Sequence, residues 1–276
     1  MVDFFIAFPA AFVAAAVLLG LIVGSFLNVV IHRLPKMMER EWQAQCADMR
    51  GETIAQAPTE NLWRPRSRCP HCGHQISAAE NIPVLSYLFL RGRCAGCKAA
   101  ISPRYPMVEV LSAVLSGLAS WKLGVGPAAL GAIVLIWALI ALAFIDADMQ
   151  LLPDDITLPL LWLGLLLNLF GTYTSLPNAV IGAVVGYLAL WSVYWLFKLT
   201  TGKEGMGYGD FKLLGALGAW MGWQMLPVII LLSSVVGAII GILMIALARH
   251  GRGQPMPFGP YLAGAGVLAM FIGHEI

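Results

Sequence analysis

The sequence predicts an all-α polytopic membrane protein with about eight transmembrane helices. Of its 276 residues, 59% are hydrophobic and 12% are charged, and the mean hydropathy is +0.79, which excludes an ordinary soluble domain. Eight apolar runs approach or exceed the roughly 20 residues that a helix needs to cross a bilayer. They lie near residues 8–31, 107–123, 128–145, 156–172, 178–197, 211–226, 227–248 and 258–273. A single run could be a buried helix of a soluble protein, but that reading fails for all eight together.

The first apolar run is predicted to be a spanning helix and not a cleavable signal peptide. Its only preceding charge is Asp3, and the first basic residue, Arg33, follows the run. A signal peptide has the opposite charge order. The chain therefore divides into a first helix (1–31), a polar insertion (32–105) and a seven-helix remainder (106–276).

The charge distribution predicts the orientation in the membrane. Between positions 31 and 105 lie eleven of the 17 Lys and Arg residues and six acidic residues, a net charge of +5. The positive-inside rule places this insertion in the cytoplasm. Counting helices from it places four further basic residues inside and Lys122 outside, with both chain ends outside. The four are Lys198, Lys203, Arg249 and Arg252.

Two C-x-x-C pairs in the insertion predict a zinc-ribbon-like module. Cys69 and Cys72 form the first pair, and Cys94 and Cys97 form the second. Four thiolates suit a tetrahedral zinc site, and a hairpin between the pairs would bring them together. A reducing cytosol disfavours disulfides, the competing interpretation. A site closed by four thiolates leaves no open position for a substrate, so the zinc is expected to be structural.

Three nearby side chains are also potential zinc ligands. His71 and His74 flank the first pair and either could replace a cysteine, although a four-cysteine site is simpler. Cys46 lies outside the pattern and is interpreted as an ordinary free thiol.

Two aspartates at the ends of apolar runs predict catalytic chemistry. Asp210 ends the stretch Gly205-Met-Gly-Tyr-Gly-Asp, and Asp146 ends the run 128–145. The helix count places both at the same membrane face, where two carboxyl groups could activate water between them. Glycines at positions 205, 207 and 209 would let an extended peptide approach Asp210. Helix capping remains the competing reading of Asp210.

Other short motifs are compatible with ordinary helix architecture. Gly24 and Asn28, four residues apart, favour close helix packing. Phe258-Gly-Pro-Tyr begins the last apolar run, and a proline in a first helical turn is common. Asp148 is two residues beyond Asp146, and Asp154 follows Pro153 at the start of a run; both are predicted to be supporting residues.

These motifs together resemble the prepilin peptidases, or type IV leader peptidases, which are GxGD-type intramembrane aspartyl proteases. The resemblance is carried by Gly207-Tyr-Gly-Asp210, the tandem C-x-x-C insertion, Gly24 to Asn28, Ile145-Asp146 with Pro153-Asp154, and Phe258 to Tyr261. It extends over about residues 20–262 and implies that Asp146 and Asp210 are catalytic, with Gly207 and Gly209 supporting them.

The resemblance also implies a bifunctional enzyme of the bacterial inner membrane, with the insertion 32–105 associated with methyl transfer and residues 106–276 forming the peptidase membrane domain. Members cut the basic leader from prepilins and type II secretion pseudopilins after a glycine at the cytoplasmic face. They then N-methylate the new terminal residue with S-adenosylmethionine. No nucleic-acid partner is expected, and the oligomeric state is left open.

No sequence motif identifies the methyl-transfer site, because no G-x-G-x-x-G loop follows a predicted strand. The turn at Gly92 and Arg93 is a candidate for holding the cofactor carboxylate, although the glycine could simply form a turn. Two other functions remain as alternatives. One is an ion-coupled transporter with a regulatory zinc module, since intramembrane acids often mark ion paths. The other is an assembly scaffold, which would leave the aspartates without a role.

Overall fold

The computed structural model describes residues 2–52, 61–247 and 256–273, and in these ranges it contains ten α-helices and no β-strand. The chain divides into two compact units, one ending at Trp121 and one beginning at Lys122. The helices that begin in the first unit are α1 (Val2–Ala7), α2 (Pro9–Met49), α3 (Leu85–Phe89) and α4 (Arg104–Leu123). The second unit holds α5 (Pro127–Met149), α6 (Asp154–Asn168), α7 (Leu176–Thr201), α8 (Tyr208–Met221), α9 (Leu226–Ala246) and α10 (Gly259–Ile272).

Each of the eight predicted apolar runs is largely helical in its described residues, and four helices in the described part of the chain are long and apolar enough to span a membrane. These are α2, α5, α7 and the segment Trp223–Ala246, which includes α9. The helices α6, α8 and α10 have 15, 14 and 14 residues, and a 14-residue helix is only about 21 Å long. Length and composition therefore support four candidate spans, and the prediction of eight is not confirmed.

Helix α2 continues far beyond residue 31, where the sequence predicts that the first helix ends. It runs through Pro35 to Met49 and stops just before Gly51, which has a positive φ of 70°. Polar residues beyond 31 change the side-chain environment without breaking the helix. Residues 32–49, which the sequence assigns to the polar insertion, are thus the continuation of α2.

Small residues let α2 and α4 approach closely in the first unit. A Cβ atom on Gly20 would lie 2.7 Å from Ala113 Cα, and one on Gly24 would lie 2.7 Å from Glu109 Cα. Asn28 Nδ2 donates hydrogen bonds to Gly24 O and Tyr105 O. The helix-packing interpretation of Gly24 and Asn28 agrees with these contacts.

Helix α8 is the buried centre of the second unit. It packs against α6, α7 and α10, and most of its residues, from Asp210 to Met221, are shielded from solvent. Its contact with α7 is made backbone to backbone at Gly182 and Gly218. At its far end, Asn168 Nδ2 donates to Ala219 O and Trp220 O. This packing holds the start of α8, and with it Asp210, in a fixed position.

Candidate active site and metal centre

Asp146 lies near the end of α5 and accepts a hydrogen bond from the start of α10. The residue is 5% exposed, and its Oδ2 accepts from Gly259 N–H at 2.9 Å. Gly259 is the first residue of α10, so its N–H is one of the donors that a helix leaves unpaired at its N-terminus. Asp146 therefore caps α10, and the positive end of the helix dipole stabilises its ionised form.

Asp210 lies in the first turn of α8, in different surroundings. It is 7% exposed, and its Oδ1 is a buried oxygen without a hydrogen-bond partner in the described part of the chain. The Gly207 backbone interacts with the same carboxyl group. Helix capping thus explains the contact of Asp210 with the Gly207 backbone, but it does not explain why Oδ1 is buried without a hydrogen-bond partner.

The two carboxyl groups are close enough to interact electrostatically. The charge of Asp146 acts on Asp210, and two like charges in a buried site cannot both be carried at low cost. The pair therefore favours one ionised and one protonated carboxyl group. That is the arrangement an aspartyl protease uses to activate water.

The three glycines before Asp210 have different roles. A Cβ on Gly209 would lie 2.7 Å from Leu152 Cβ, and one on Gly205 would lie 2.8 Å from the Phe197 ring. A Cβ on Gly207 would meet nothing closer than Asp210 Oδ2, at 4.0 Å. Only Gly207 leaves the open approach that the sequence predicted for all three, because the other two positions are filled by packing.

The two supporting aspartates lie in different places. Asp148 is exposed, as expected for a residue two positions beyond Asp146 on a helix. Asp154 begins α6 and accepts hydrogen bonds from Lys212 Nζ on both carboxylate oxygens, each at 2.7 Å. This ion pair joins the first residue of α6 to Lys212 near the start of α8, two residues after Asp210. No sequence pattern indicated Lys212 as a partner.

The four cysteines of the two C-x-x-C pairs meet in one cluster. Their sulfur atoms all lie within 4.8 Å of one another, with Cys69–Cys97 at 3.8 Å and Cys72–Cys94 at 4.0 Å. These distances are too long for disulfides. A tetrahedral zinc ion with bonds of about 2.3 Å requires sulfur separations of about 3.8 Å. The geometry fits a zinc site made of four thiolates.

Local hydrogen bonds change the pKa values of the thiols in this cluster. The backbone N–H groups of Cys72 and His71 lower the pKa of the Cys69 thiol to about 7. The pKa of Cys72 rises to about 11, because burial and the neighbouring thiols outweigh the opposing effect of the His74 backbone N–H. A dication would stabilise the further thiolates that the cluster disfavours by itself.

The histidines beside the module are not part of the sulfur cluster. His74 Nε2 lies 3.1 Å from Glu80 Oε1. The Ser77 backbone and side chain and the His74 ring lower the pKa of Glu80 to about 2. His74 therefore has a carboxylate partner, which is consistent with the simpler four-cysteine site.

The connection between the C-x-x-C pairs differs from the predicted hairpin. Each pair is a turn closed by one isolated antiparallel bridge, Arg68 with Gln75 and Arg93 with Ala100. The residues between them form a 3₁₀ turn, Ala79–Asn81, and the helix α3. The hairpin prediction was wrong, because each pair closes its own turn and needs no shared strand pairing.

Gly92, a candidate for cofactor binding, adopts a positive φ of 66° against Tyr87. A Cβ there would lie 3.0 Å from the Tyr87 ring, and Gly92 O accepts from Ile101 N–H at 2.7 Å. These contacts account for the glycine as a turn residue. The proposed roles of Gly92 and Arg93 in cofactor binding stay predictions.

Comparison with known proteins gives the family. Residues 18–123 match the bacterial peptidase A24 N-terminal domain, and residues 133–242 match the type IV leader peptidase family. The chain belongs to the type IV leader peptidase family. The family resemblance inferred from the sequence is thereby confirmed.

Full-length relatives share the same name. Prepilin leader peptidase/N-methyltransferases from Stutzerimonas stutzeri and Pseudomonas aeruginosa are 58% and 57% identical to the chain, covering all of it and 96% of each relative. The protein of that name from Aeromonas hydrophila is 58% identical over 97% of the chain and 93% of its own length. No solved structure matches the chain. Asp146 and Asp210 both lie within the segment that matches the peptidase family.

Proposed function

We propose that the chain is a bifunctional prepilin leader peptidase and N-methyltransferase, with Asp146 and Asp210 as its peptidase pair. The observation that carries the peptidase assignment is the buried, interacting pair of carboxyl groups in unequal surroundings. The family membership and the names of the relatives support the two activities.

The unequal surroundings assign different roles to the two carboxyl groups. Asp146, held by the Gly259 N–H, is the ionised base that takes a proton from water. Asp210 carries the shared proton and donates it to the scissile carbonyl oxygen from its unpartnered side. The water oxygen bonds to the carbonyl carbon; the C–N bond then breaks as the amine takes the proton held by Asp146 and the diol returns a proton to Asp210. Because the carboxyl groups interact, the titration belongs to the pair.

The substrate is a prepilin or pseudopilin whose basic leader reaches the pair along Gly207. The open space at Gly207 admits an extended backbone beside Asp210. A site that carries one negative charge also favours a positively charged leader.

The protein lies in the bacterial inner membrane with the cysteine module and both aspartates on the cytoplasmic side and both termini in the periplasm. The basic insertion supports this orientation. Lys122, assigned to the opposite side, donates to Phe271 O at 2.7 Å near the end of α10. That contact agrees with Lys122 and the chain end lying on the same side. Arg249 and Arg252, assigned to the cytoplasm, lie outside the described residues.

This enzyme would use a metal ion and a methyl donor. A zinc ion held by the four cysteines would supply cohesion to a small polar module, since metal binding contributes directly to folding. S-adenosylmethionine would supply the electrophilic methyl group. The ion-coupled transporter receives no support from the family comparison.

Mass spectrometry of a purified prepilin incubated with this protein and S-adenosylmethionine tests the proposal. We expect loss of the leader and a gain of one methyl group at the new N-terminus. An unchanged prepilin mass in the presence of folded, zinc-loaded enzyme would contradict the proposed function.

A further inference from the structure

Helix α3 exposes an apolar face within the polar insertion. We use this term for Ile82, Leu85, Leu88 and Phe89, whose exposed fractions run from 47% to 84%. Positions 85, 88 and 89 have the i, i+3, i+4 spacing of residues on one side of a helix. The residues between them are less exposed, because they face the rest of the unit. An apolar patch of this kind indicates contact with a membrane or another molecule.

Contacts with α2 and α4 fix the depth of α3. A Cβ on Gly24 of α2 would lie 2.7 Å from Glu109 Cα, and Glu109 Oε2 accepts from Val84 N–H, at the start of α3, at 2.7 Å. Gly24 lies about 10 Å inside the apolar run of α2 that ends at position 31. A glutamate side chain is about 5 Å long, so Val84 N lies within about 8 Å of Glu109 Cα. Helix α3 therefore begins at a depth that the apolar run of this candidate span still covers.

The backbone at Val84 holds α3 in one orientation. Val84 has a φ of 60° and a ψ of −47°, a conformation that β-branched residues rarely adopt. Across it, Leu85 N–H donates to Pro83 O, as in a γ-turn. A strained conformation persists only where neighbouring contacts stabilise it, and the hydrogen bond to Glu109 is such a contact. The turn therefore fixes the orientation in which the apolar face of α3 is exposed.

Two basic residues follow this face. Arg91 and Arg93 are exposed and lie two and four residues after Phe89. An apolar helix face next to exposed cations is typical of a segment that lies in a membrane interface. In that position apolar side chains reach the acyl chains, while guanidinium groups extend to anionic headgroups.

From this depth and charge pattern, we propose that the segment 82–93 lies in the membrane interface. The apolar face of α3 contacts acyl chains there, and Arg91 and Arg93 bind anionic phospholipid headgroups. The partner is lipid, because at the depth of an apolar run lipid covers any surface that protein does not cover. The cysteine module is then held against the bilayer by α3 as well as by the two helices that flank it. The proposal depends on neither the peptidase nor the methyltransferase activity.

Photo-crosslinking from position 89 tests what covers this face. Phe89→p-benzoylphenylalanine keeps an aromatic side chain and, on irradiation, bonds covalently to a carbon atom in contact with it. The purified full chain is placed in nanodiscs with equal amounts of phosphatidylglycerol and phosphatidylcholine, and adducts are identified by mass spectrometry. We expect phospholipid adducts, with phosphatidylglycerol in excess by about fivefold.

Three further variants serve as controls. Gln45→p-benzoylphenylalanine should give no lipid adduct, because this exposed position lies about 21 Å beyond position 31 along α2. Leu231→p-benzoylphenylalanine, at an exposed position of a candidate span, should give adducts with both lipids equally. Adding Arg91→Gln and Arg93→Gln to the position-89 variant should keep the lipid adducts but remove the phosphatidylglycerol excess. Zinc content and thermal melting identify any variant that has lost its fold.

Three results would overturn the proposal. The first is the absence of a lipid adduct at position 89 while position 231 gives one, which would place α3 in water. The second is an adduct with another copy of the chain, which would make the face a protein interface. The third is an unchanged phosphatidylglycerol excess in the folded double arginine variant. None of these results bears on the proposed function, since the assay contains no prepilin and no methyl donor.

Discussion

Gly259 is the single residue that sequence reasoning undervalued most at the candidate peptidase site. Its motif was visible, but a glycine before a proline at a helix start has an ordinary architectural explanation. The structure gives it a second role, because its N–H holds Asp146 Oδ2 and a Cβ there would lie 2.7 Å from the same oxygen. Such a long-range contact leaves no local pattern in the sequence.

Replacing Gly259 by Ala is expected to lower the cleavage rate by tenfold to a hundredfold, as an order of magnitude for a displaced catalytic group. The added methyl group must push Asp146 away from its hydrogen bond. Gly264→Ala, in the same helix with no atom within 4 Å of the new Cβ, is the control and should keep wild-type activity. Equal cleavage rates for the two variants would rule out a positioning role for Gly259.

Between elements, the ion pair of Asp154 and Lys212 joins the starts of α6 and α8. Both side chains are partly exposed, at 50% and 30%, so the pair contributes only about 0 to 1 kcal/mol to stability. Because Lys212 is two residues from Asp210, the ion pair is expected to affect the position of Asp210 more than the stability of the fold. Asp154 was predicted as a supporting residue, and this contact supplies a physical basis for that role.

Asp154→Asn and Lys212→Met should each lower the cleavage rate by about fivefold, the equivalent of about 1 kcal/mol. Exchanging the two charges, with Asp154→Lys and Lys212→Asp together, should restore part of the rate. Lys203→Met, at an exposed position in the preceding loop, serves as the control. A charge exchange that is worse than both single variants would show that the ion pair does not act through its attraction.

The cysteine module is expected to depend on the cluster of its four sulfur atoms for zinc binding. We expect one zinc per chain in the purified protein, lost in Cys72→Ser and in Cys97→Ser, with the insertion becoming sensitive to protease. Cys46→Ser should retain zinc, because Cys46 is an exposed free thiol outside the cluster. Metal analysis and limited proteolysis measure both effects. Full zinc occupancy in both cluster variants would refute the assignment.

For the whole molecule, the sequence predicted the helical class, the cysteine cluster and the aspartate pair. These features have local signals: apolar runs, repeated C-x-x-C spacing and an acid at a run's end. The number of spanning helices was harder to predict. Helix α8 has only 14 residues, and it is apolar because it is buried among α6, α7 and α10. Burial in protein and burial in lipid both favour apolar residues, so an apolar run alone does not distinguish a spanning helix from a buried one.

Membrane orientation is tested by cysteine labelling in a Cys46→Ser background. A cysteine at Lys203 should react only with a reagent applied from the cytoplasm, and one at the exposed Phe170 only from the periplasm. The reason is the positive-inside charge distribution combined with the passage of α7 between these positions. Periplasmic labelling at position 203 would reverse the proposed orientation.

The rate of leader cleavage in aspartate-to-asparagine variants tests the central claim most directly. Asp210→Asn and Asp146→Asn keep the shape but remove the group that activates water, so each should lower the initial rate by about a hundredfold to ten-thousandfold at equal enzyme abundance and zinc content. The double variant should be scarcely slower than either single one, because the carboxyl groups act as a unit. Asp148→Asn, at an exposed position, should retain more activity. Substantial cleavage by Asp210→Asn would contradict the aspartyl protease account.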